Sequence, residues 1–179
     1  MLDIDAINHM DCDEFVAYLG PVFENSPWVA QCSWQKRPFA DIEALHTVMF
    51  SQILARDTAS KVEFLGAHPD LAGKEAKQGR MTAASTIEQG TAGLDNLVSH
   101  EMALIDDLNR RYRARHGFPF IVCVRHYTKA GIFAEFKHRI GRETDAELAE
   151  ALRQIANISR YRLGALVKEE AREVITPAA

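Results

Sequence analysis

The chain is poor in the residues that stabilise many small proteins by cross-linking. It has three cysteines, Cys12, Cys32 and Cys123, which are far apart and odd in number. Their spacing fits neither a disulfide framework nor a zinc site. Free cysteines are typical of a reducing compartment, so we expect a cytoplasmic protein.

Long apolar runs and a strong charge of one sign are also missing. No stretch approaches the length of a membrane helix, and the acidic N-terminal segment contains no apolar signal core. The formal net charge of −4 over 179 residues argues against nucleic acid or an anionic membrane as the main partner. The seven histidines form no metal-ligand pattern, and there is no glycine-rich phosphate loop. We therefore expect neither a metal nor an organic cofactor.

What remains is a chain of ordinary globular composition, with 47% hydrophobic and 26% charged residues. Its length predicts one domain over residues 1–179, with a tail over 169–179 that frays. Helical spacing of apolar residues, together with turn signals, predicts eight helices over 8–19, 27–35, 41–56, 58–67, 85–98, 99–116, 128–140 and from 144 onward. The sequence therefore predicts a compact all-α domain of about eight helices.

The stretch 118–124, Phe-Pro-Phe-Ile-Val-Cys-Val, is the only one that predicts an extended backbone. It has no evident partner strand, yet buried backbone N–H and C=O groups need hydrogen-bond partners. A bound polar heterocycle could supply those partners. Side chains or water could equally do so, and the sequence leaves both interpretations open.

His68 is predicted to lie at a helix end, because the helix over 58–67 runs into His68-Pro69. A proline disfavours the helical conformation of the residue before it. The partial negative charge of a helix C-terminus favours the imidazolium form, which would make His68 a proton donor. The simpler alternative is that His68 only caps the helix.

A second polar group lies on the helix predicted over 85–98. Ser85, Glu88 and Gln89 follow an i, i+3, i+4 spacing and therefore share one helix face. Ser-x-x-Glu is also the pattern of a capping box, which satisfies free amides at a helix start. A catalytic cluster and a capping box are both compatible with these residues.

Arg162 is predicted to lie on the buried face of the last helix. It follows Ile155 by seven residues, which places it only ~20° away around the helix, whereas Arg160 is ~140° away. The apolar stripe of this helix consists of Leu148, Leu152, Ile155, Ile158 and Leu166. A buried charge is costly without a partner, which could be an internal carboxylate or an anionic substrate.

Five sequence blocks occur together in this chain. They are Glu-Asn-Ser-Pro-Trp-Val at 24–29, His-Pro-Asp-Leu-Ala-Gly-Lys at 68–74, Ser-x-x-Glu-Gln-x-x-Ala-Gly-Leu at 85–94, Leu-Asn-x-x-Tyr at 108–112 with Gly-Phe-Pro-Phe-Ile-Val at 117–122, and Arg-Leu at 162–163. In order and spacing these blocks resemble the 2-oxo-4-hydroxy-4-carboxy-5-ureidoimidazoline (OHCU) decarboxylases of urate breakdown. The resemblance covers nearly the whole chain.

The resemblance implies an all-α homodimer that converts OHCU to (S)-allantoin without a cofactor. It implies two catalytic residues, His68 as general acid/base and Glu88 as its polar partner. It also implies a set of substrate-binding residues: Pro69, Ser85, Thr86, Ile87, Glu88, Gln89, Arg162, and Phe120, Ile121, Val122, Cys123 and Val124 of the extended segment.

Two other functions fit the residues without the resemblance. The chain could be a helical interaction module without catalysis, in which His68 caps its helix and Arg162 is paired internally. It could also be a hydrolase that acts on a related ureide. Release of carbon dioxide, as opposed to ring opening, would separate the hydrolase from the decarboxylase.

Overall fold

The computed structural model describes residues 1–79 and 81–169. These ranges contain ten α-helices and no β-strand: α1 (Ile4–His9), α2 (Cys12–Leu19), α3 (Trp28–Trp34), α4 (Ile42–Leu54), α5 (Thr58–Gly66), α6 (Lys74–Lys77), α7 (Ala83–Thr91), α8 (Ser99–His116), α9 (Lys129–Arg139) and α10 (Thr144–Leu166). Two short 3₁₀ turns follow α2 and precede α9. The all-α prediction is confirmed. The predicted frayed tail over 169–179 lies, apart from Glu169, outside the described residues.

Most helices begin at a side chain that accepts a hydrogen bond from a free amide of the first turn. Such oxygens come from the N-cap residues Asp3, Asp11, Asp41, Asp57, Thr82 and Thr128. At α2 the N-cap Asp11 forms a complete capping box with Glu14. These local hydrogen bonds define where the six helices begin.

Several predicted helix boundaries are wrong. The helix predicted over 8–19 is two helices, because Met10 is extended and Asp11 starts a new one. The helix predicted over 85–98 ends at Thr91, where Gly93 adopts φ +70° and the Leu94 N–H bonds the Gln89 carbonyl at 3.0 Å. That bond is the Schellman pattern, which ends a helix at a left-handed glycine.

Two smaller differences concern a helix start and a short additional helix. The helix predicted over 27–35 begins at Trp28, with Pro27 at the cap position. Residues 74–77, which lie outside the predicted helices, form the four-residue helix α6.

The core is built by helices that pack against α10 and by an aromatic group at the far end of α8. α4, α5 and α8 all contact α10, and α3 packs against both α2 and α4. Tyr112 of α8 contacts the rings of Phe118, Phe120 and Phe136, and Phe120 stacks on Phe136 at 3.9 Å. This aromatic group holds the segment after α8 against α9.

Residues 118–123 belong to no helix or strand, whereas Val124, the last residue of the predicted extended stretch, begins a 3₁₀ turn. Two of its backbone groups are bonded by buried side chains. The Cys123 N–H donates to Gln154 Oε1 at 2.8 Å, and the Ile121 carbonyl accepts from Arg139 Nη1 at 2.9 Å. Side chains of the flanking helices therefore supply some of the backbone hydrogen bonds that an adjacent strand would otherwise provide.

The beginning of the chain runs beside the end of α10. Leu2 and Val167 form an isolated parallel bridge, with the Leu2 N–H donating to the Leu166 carbonyl at 3.0 Å. The Tyr18 hydroxyl bonds the same carbonyl at 2.7 Å. None of the helices in the described ranges is both long and apolar enough to cross a membrane.

Candidate active site

His68 follows the end of α5 and is almost fully buried, with 9% of its surface exposed. Its ring meets the ring of Phe64 edge to face at 5.5 Å, and its Nδ1 has no hydrogen-bond partner. Burial lowers the pKa of His68 to about 4, although the carboxylate of Glu24 acts in the opposite direction. The predicted imidazolium form is therefore wrong. The loss of solvent around the ring outweighs the field of the helix end.

A tight turn carries the chain from His68 to α6. The Gly73 N–H bonds the Asp70 carbonyl at 3.1 Å, and Ala72 has φ +47°. A Cβ at Gly73 would lie 2.7 Å from the Asp70 Cβ, so only glycine fits there. The Ala72 N–H donates to Gln89 Oε1 at 2.8 Å. The turn is thereby fixed to α7.

Arg162 is the centre of a group of polar side chains that we call the pocket centre: Arg162, Glu24, Glu88, Ser85 and Thr82. Its Nε and Nη2 donate to the two oxygens of Glu88 at 2.9 and 2.8 Å. Its Nη1 donates to Glu24 Oε2 at 3.0 Å. Only 9% of the Arg162 side chain is exposed, against 28% for Arg160. The predicted inward and outward directions of these arginines are confirmed.

Glu24 binds three donors of the pocket centre with one oxygen. Its Oε2 accepts from the hydroxyls of Thr82 and Ser85, both at 2.9 Å, as well as from Arg162. Burial alone would raise the pKa of Glu24, but Arg162 and the two hydroxyls together lower it below its ordinary value. Glu24 is therefore a charged carboxylate below the protein surface.

The capping-box interpretation of Ser85 and Glu88 is wrong. Thr82 is the N-cap of α7, and its hydroxyl accepts from the Ser85 N–H at 3.2 Å. Ser85 and Glu88 instead direct their side chains to Glu24 and Arg162. The i, i+3 spacing therefore serves the pocket centre and not the helix start.

A cavity of about 40 Å³ lies between α5, α7, α10 and the segment after α8. It is lined by His68, Pro69, Leu71, Ser85, Glu88, Gln89, Phe120, Ile121, Val122, Val124, Ile158 and Arg162. Most of the predicted site residues thus come together at one place. The exceptions are Thr86, which is exposed, Ile87, which is 63% exposed, and Cys123, which is buried behind the lining.

The sequence prediction missed Glu24, Leu71 and Ile158. Glu24 begins the first of the five blocks, and Leu71 lies inside the second, so their block membership was a usable signal. Ile158 belongs to the apolar stripe of α10, which indicates burial but not contact with a cavity. No group of three His, Cys, Asp or Glu side chains that could hold a metal ion occurs among residues 1–79 and 81–169.

The fold and the cavity define an all-α protein with one histidine and one carboxylate-paired arginine facing the same small site. Comparison of the sequence with protein families gives a match to the OHCU decarboxylase model over residues 8–164. The chain belongs to the OHCU decarboxylase family.

Individual relatives agree with this assignment. The OHCU decarboxylase of Mus musculus is 36% identical over 162 residues, which cover 90% of this chain and 91% of that protein. Among solved structures, an (S)-allantoin synthase is similar with a TM-score of 0.74 and 25% identity, over 93% of this chain and 54% of that one. An OHCU decarboxylase crystallised in the presence of (S)-allantoin has a TM-score of 0.60 and 19% identity, over 86% and 96% of the two chains.

Proposed function

We propose that this chain decarboxylates OHCU to (S)-allantoin in urate degradation. Membership of the OHCU decarboxylase family supports the reaction. The observation that assigns the reaction to particular residues is one cavity lined by a neutral histidine, His68, whose Nδ1 has no hydrogen-bond partner, and by a charged arginine, Arg162. A general base and an anion-binding group are what an acidic substrate with an ionisable hydroxyl requires.

The reaction needs an electron acceptor, which the substrate itself contains. The ring carbon that carries the carboxylate also carries a hydroxyl, and its neighbour is the carbon of a C=N bond. When carbon dioxide leaves, the electron pair of the broken C–C bond forms a C=C bond to that neighbour, and the nitrogen of the former C=N bond takes up a proton. The hydroxyl then loses its proton to become a carbonyl, and the ureido-bearing carbon gains one. One proton thus replaces carbon dioxide, and we expect no cofactor.

His68 is suited to the proton steps because it is neutral at physiological pH. A neutral imidazole with a free nitrogen can accept the hydroxyl proton and, once charged, deliver a proton to carbon. Glu88, which lines the same cavity and is paired with Arg162 before substrate binds, is the polar partner of His68. Delivery of the proton from one side would set the S configuration.

The substrate would be held by the remaining groups around the cavity. Arg162 offers a planar guanidinium for the carboxylate, and Pro69 shapes the wall. Ser85, Gln89 and the peptide groups of the lining residues Phe120, Ile121, Val122 and Val124 surround the heterocycle. We propose direct contact for the lining residues, and not for the exposed Thr86 or the buried Cys123.

We also infer a cytoplasmic homodimer that binds a small molecule and neither nucleic acid nor membrane. The support is the family resemblance together with the modest net charge of −4. Light scattering at micromolar concentration should give twice the mass of one chain. A monomer would contradict the dimer.

The test of the function is to add freshly generated urate oxidation product and follow both carbon dioxide and the chirality of the allantoin. We expect rapid release of carbon dioxide and an excess of (S)-allantoin, against a racemic background from spontaneous decay. His68→Ala should reduce the product to that background while circular dichroism shows an intact fold. Ring opening without carbon dioxide would favour the hydrolase, and no turnover would favour the interaction module.

A further inference from the structure

The guanidinium of Arg162 is bound on two sides by two carboxylates that differ in position. Glu88 occupies Nε and Nη2, the two-pronged edge that recognises a planar carboxylate. Glu24 occupies Nη1 on another edge. A substrate carboxylate can therefore reach the two-pronged edge of Arg162 only if Glu88 leaves it.

The surroundings of the two carboxylates indicate which one can leave. The Glu24 side chain is 1% exposed, does not line the cavity and is bonded by Ser85 and Thr82 as well as by Arg162. The Glu88 side chain is 14% exposed and lines the cavity. Glu24 is thus fixed from behind, whereas Glu88 faces open space.

The volume of the cavity also requires a movement. At about 40 Å³ it has room for roughly three water molecules, which is less than a substituted heterocycle needs. A second cavity of about 240 Å³ adjoins it and is lined on one side by the same two residues, Glu88 and Arg162. Glu88 and Arg162, which form an ion pair, thus line both spaces.

The second cavity is lined by a positively charged side chain, Arg125, with which a displaced Glu88 could pair. Arg125 lines it together with Glu88, and the Arg125 guanidinium lies 5.5 Å from the centre of the Tyr161 ring. Ile87 and Leu166 supply apolar wall. A carboxylate that turns away from Arg162 into this space would meet a positive charge, which offsets the cost of breaking the first pair.

We propose that substrate binding exchanges ion pairs: the substrate carboxylate replaces Glu88 on Arg162, and Glu88 moves to Arg125. The exchange joins the two cavities into one substrate site. Arg125 is then a positioning residue for Glu88, and Glu24 is a positioning residue that keeps Arg162 in place. The proposal rests on the proposed decarboxylase function and adds residues that do not touch the reacting atoms.

The main test is Arg125→Gln, measured as KM and kcat for carbon dioxide release from fresh substrate. Arg125 is exposed, so the variant should fold normally. We expect KM to rise about tenfold with kcat within twofold, because the lost charge affects the exchange on binding and not the chemical step. Arg125→Lys keeps the charge and should restore most of the affinity.

The matched control is Arg110→Gln, another exposed arginine, on α8 and outside both cavities. It should leave KM and kcat unchanged. Glu24→Gln should lower kcat/KM about tenfold, and it should lower the melting temperature as well, so circular dichroism at the assay temperature must show that the variant is folded. If Arg125→Gln behaves like Arg110→Gln in an active enzyme, the exchange is wrong. If the unmodified protein releases no carbon dioxide, the proposed function itself is wrong.

Discussion

Two buried arginine–glutamate groups in this protein have the same chemistry and different surroundings. The pocket centre, around Arg162, borders two cavities. The other group, which we call the core centre, consists of Arg139, Glu147 and Tyr112. Its arginine and glutamate side chains are both 0% exposed. Arg139 pairs with Glu147, and the Tyr112 hydroxyl bonds the same carboxylate.

The difference between the two groups lies in what their polar atoms contact. In the core centre Arg139 also donates to the Ile121 carbonyl and stacks over Phe120 at 4.5 Å, so its contacts hold the extended segment. Burial and the hydrogen bond to Glu147 raise the pKa of Tyr112 above its ordinary value. In the pocket centre one carboxylate faces a cavity. An ion pair can therefore stabilise a fold or prepare a binding site, and access to solvent separates the two roles.

The largest effect should come from breaking the core centre with Arg139→Ala. It would leave the buried Glu147 with only the partly exposed Arg142, 3.5 Å from its Oε2, as a cation, and loss of a buried ion-pair partner typically costs about 3–5 kcal/mol in the free energy of unfolding. Urea denaturation at pH 7 measures the loss. The double variant Arg139→Met with Glu147→Leu removes both charges and should recover most of the stability. A loss below ~1 kcal/mol for Arg139→Ala would contradict a structural role.

The second effect concerns the stability of the protein in acid, which depends on the buried histidine of the pocket, His68. His68 has a pKa of about 4 in the folded protein and 6.5 as its ordinary value, so the unfolded chain binds more protons below pH 6.5. The free energy of unfolding should therefore fall by ~2 kcal/mol from this residue between pH 7 and pH 5. Urea unfolding at both pH values should show that His68→Gln lacks this loss. Equal losses in both proteins would rule out a buried neutral histidine.

A third, smaller effect concerns Arg162→Lys, which keeps the charge of the pocket centre. Lysine cannot reproduce the two-pronged hydrogen bonding of the guanidinium. We expect kcat/KM to fall about tenfold or more, equivalent to ~1.4 kcal/mol of transition-state stabilisation. If kcat/KM stayed unchanged and only the melting temperature fell, Arg162 would be a structural residue like Arg139.

The smallest effect should come from Arg160→Lys, the matched control for Arg162→Lys. Arg160 forms ion pairs with Glu43 and Glu169, whose side chains are 60% and 67% exposed. Exposed pairs of this kind contribute little to stability. Both kcat/KM and the melting temperature should stay close to the unmodified values, and a tenfold loss of kcat/KM would show that the effect is not specific to the pocket centre.

Features that depend on local sequence were predictable, and features that depend on distant packing were not. The inward direction of Arg162, for example, follows from helix periodicity. The neutral state of His68 depends on burial by remote segments, which overrides the local helix end. Glu24 lies 138 positions before Arg162 in the chain, and no spacing rule reaches that far.

The same limit explains why the core centre was missed. Arg139 lies in the last turn of α9, where a basic residue is ordinary and indicates a solvent-facing helix end. Its burial results from contact with α10 and with the segment after α8. The two residues of the ion pair are only eight positions apart, but their burial depends on segments that are distant in the sequence.

The helix α10 fixes the positions of the two centres relative to each other. It carries Glu147 of the core centre, Gln154, which binds the extended segment, and Arg162 of the pocket centre. The first and last are 15 residues apart, which corresponds to ~22 Å along a straight helix. One alanine inserted after Asn157 would turn Arg162 by ~100° and advance it by ~1.5 Å, while Glu147 and Gln154 kept their places. The rotation of this one helix about its axis therefore determines whether a protein with an intact core also has a functional pocket.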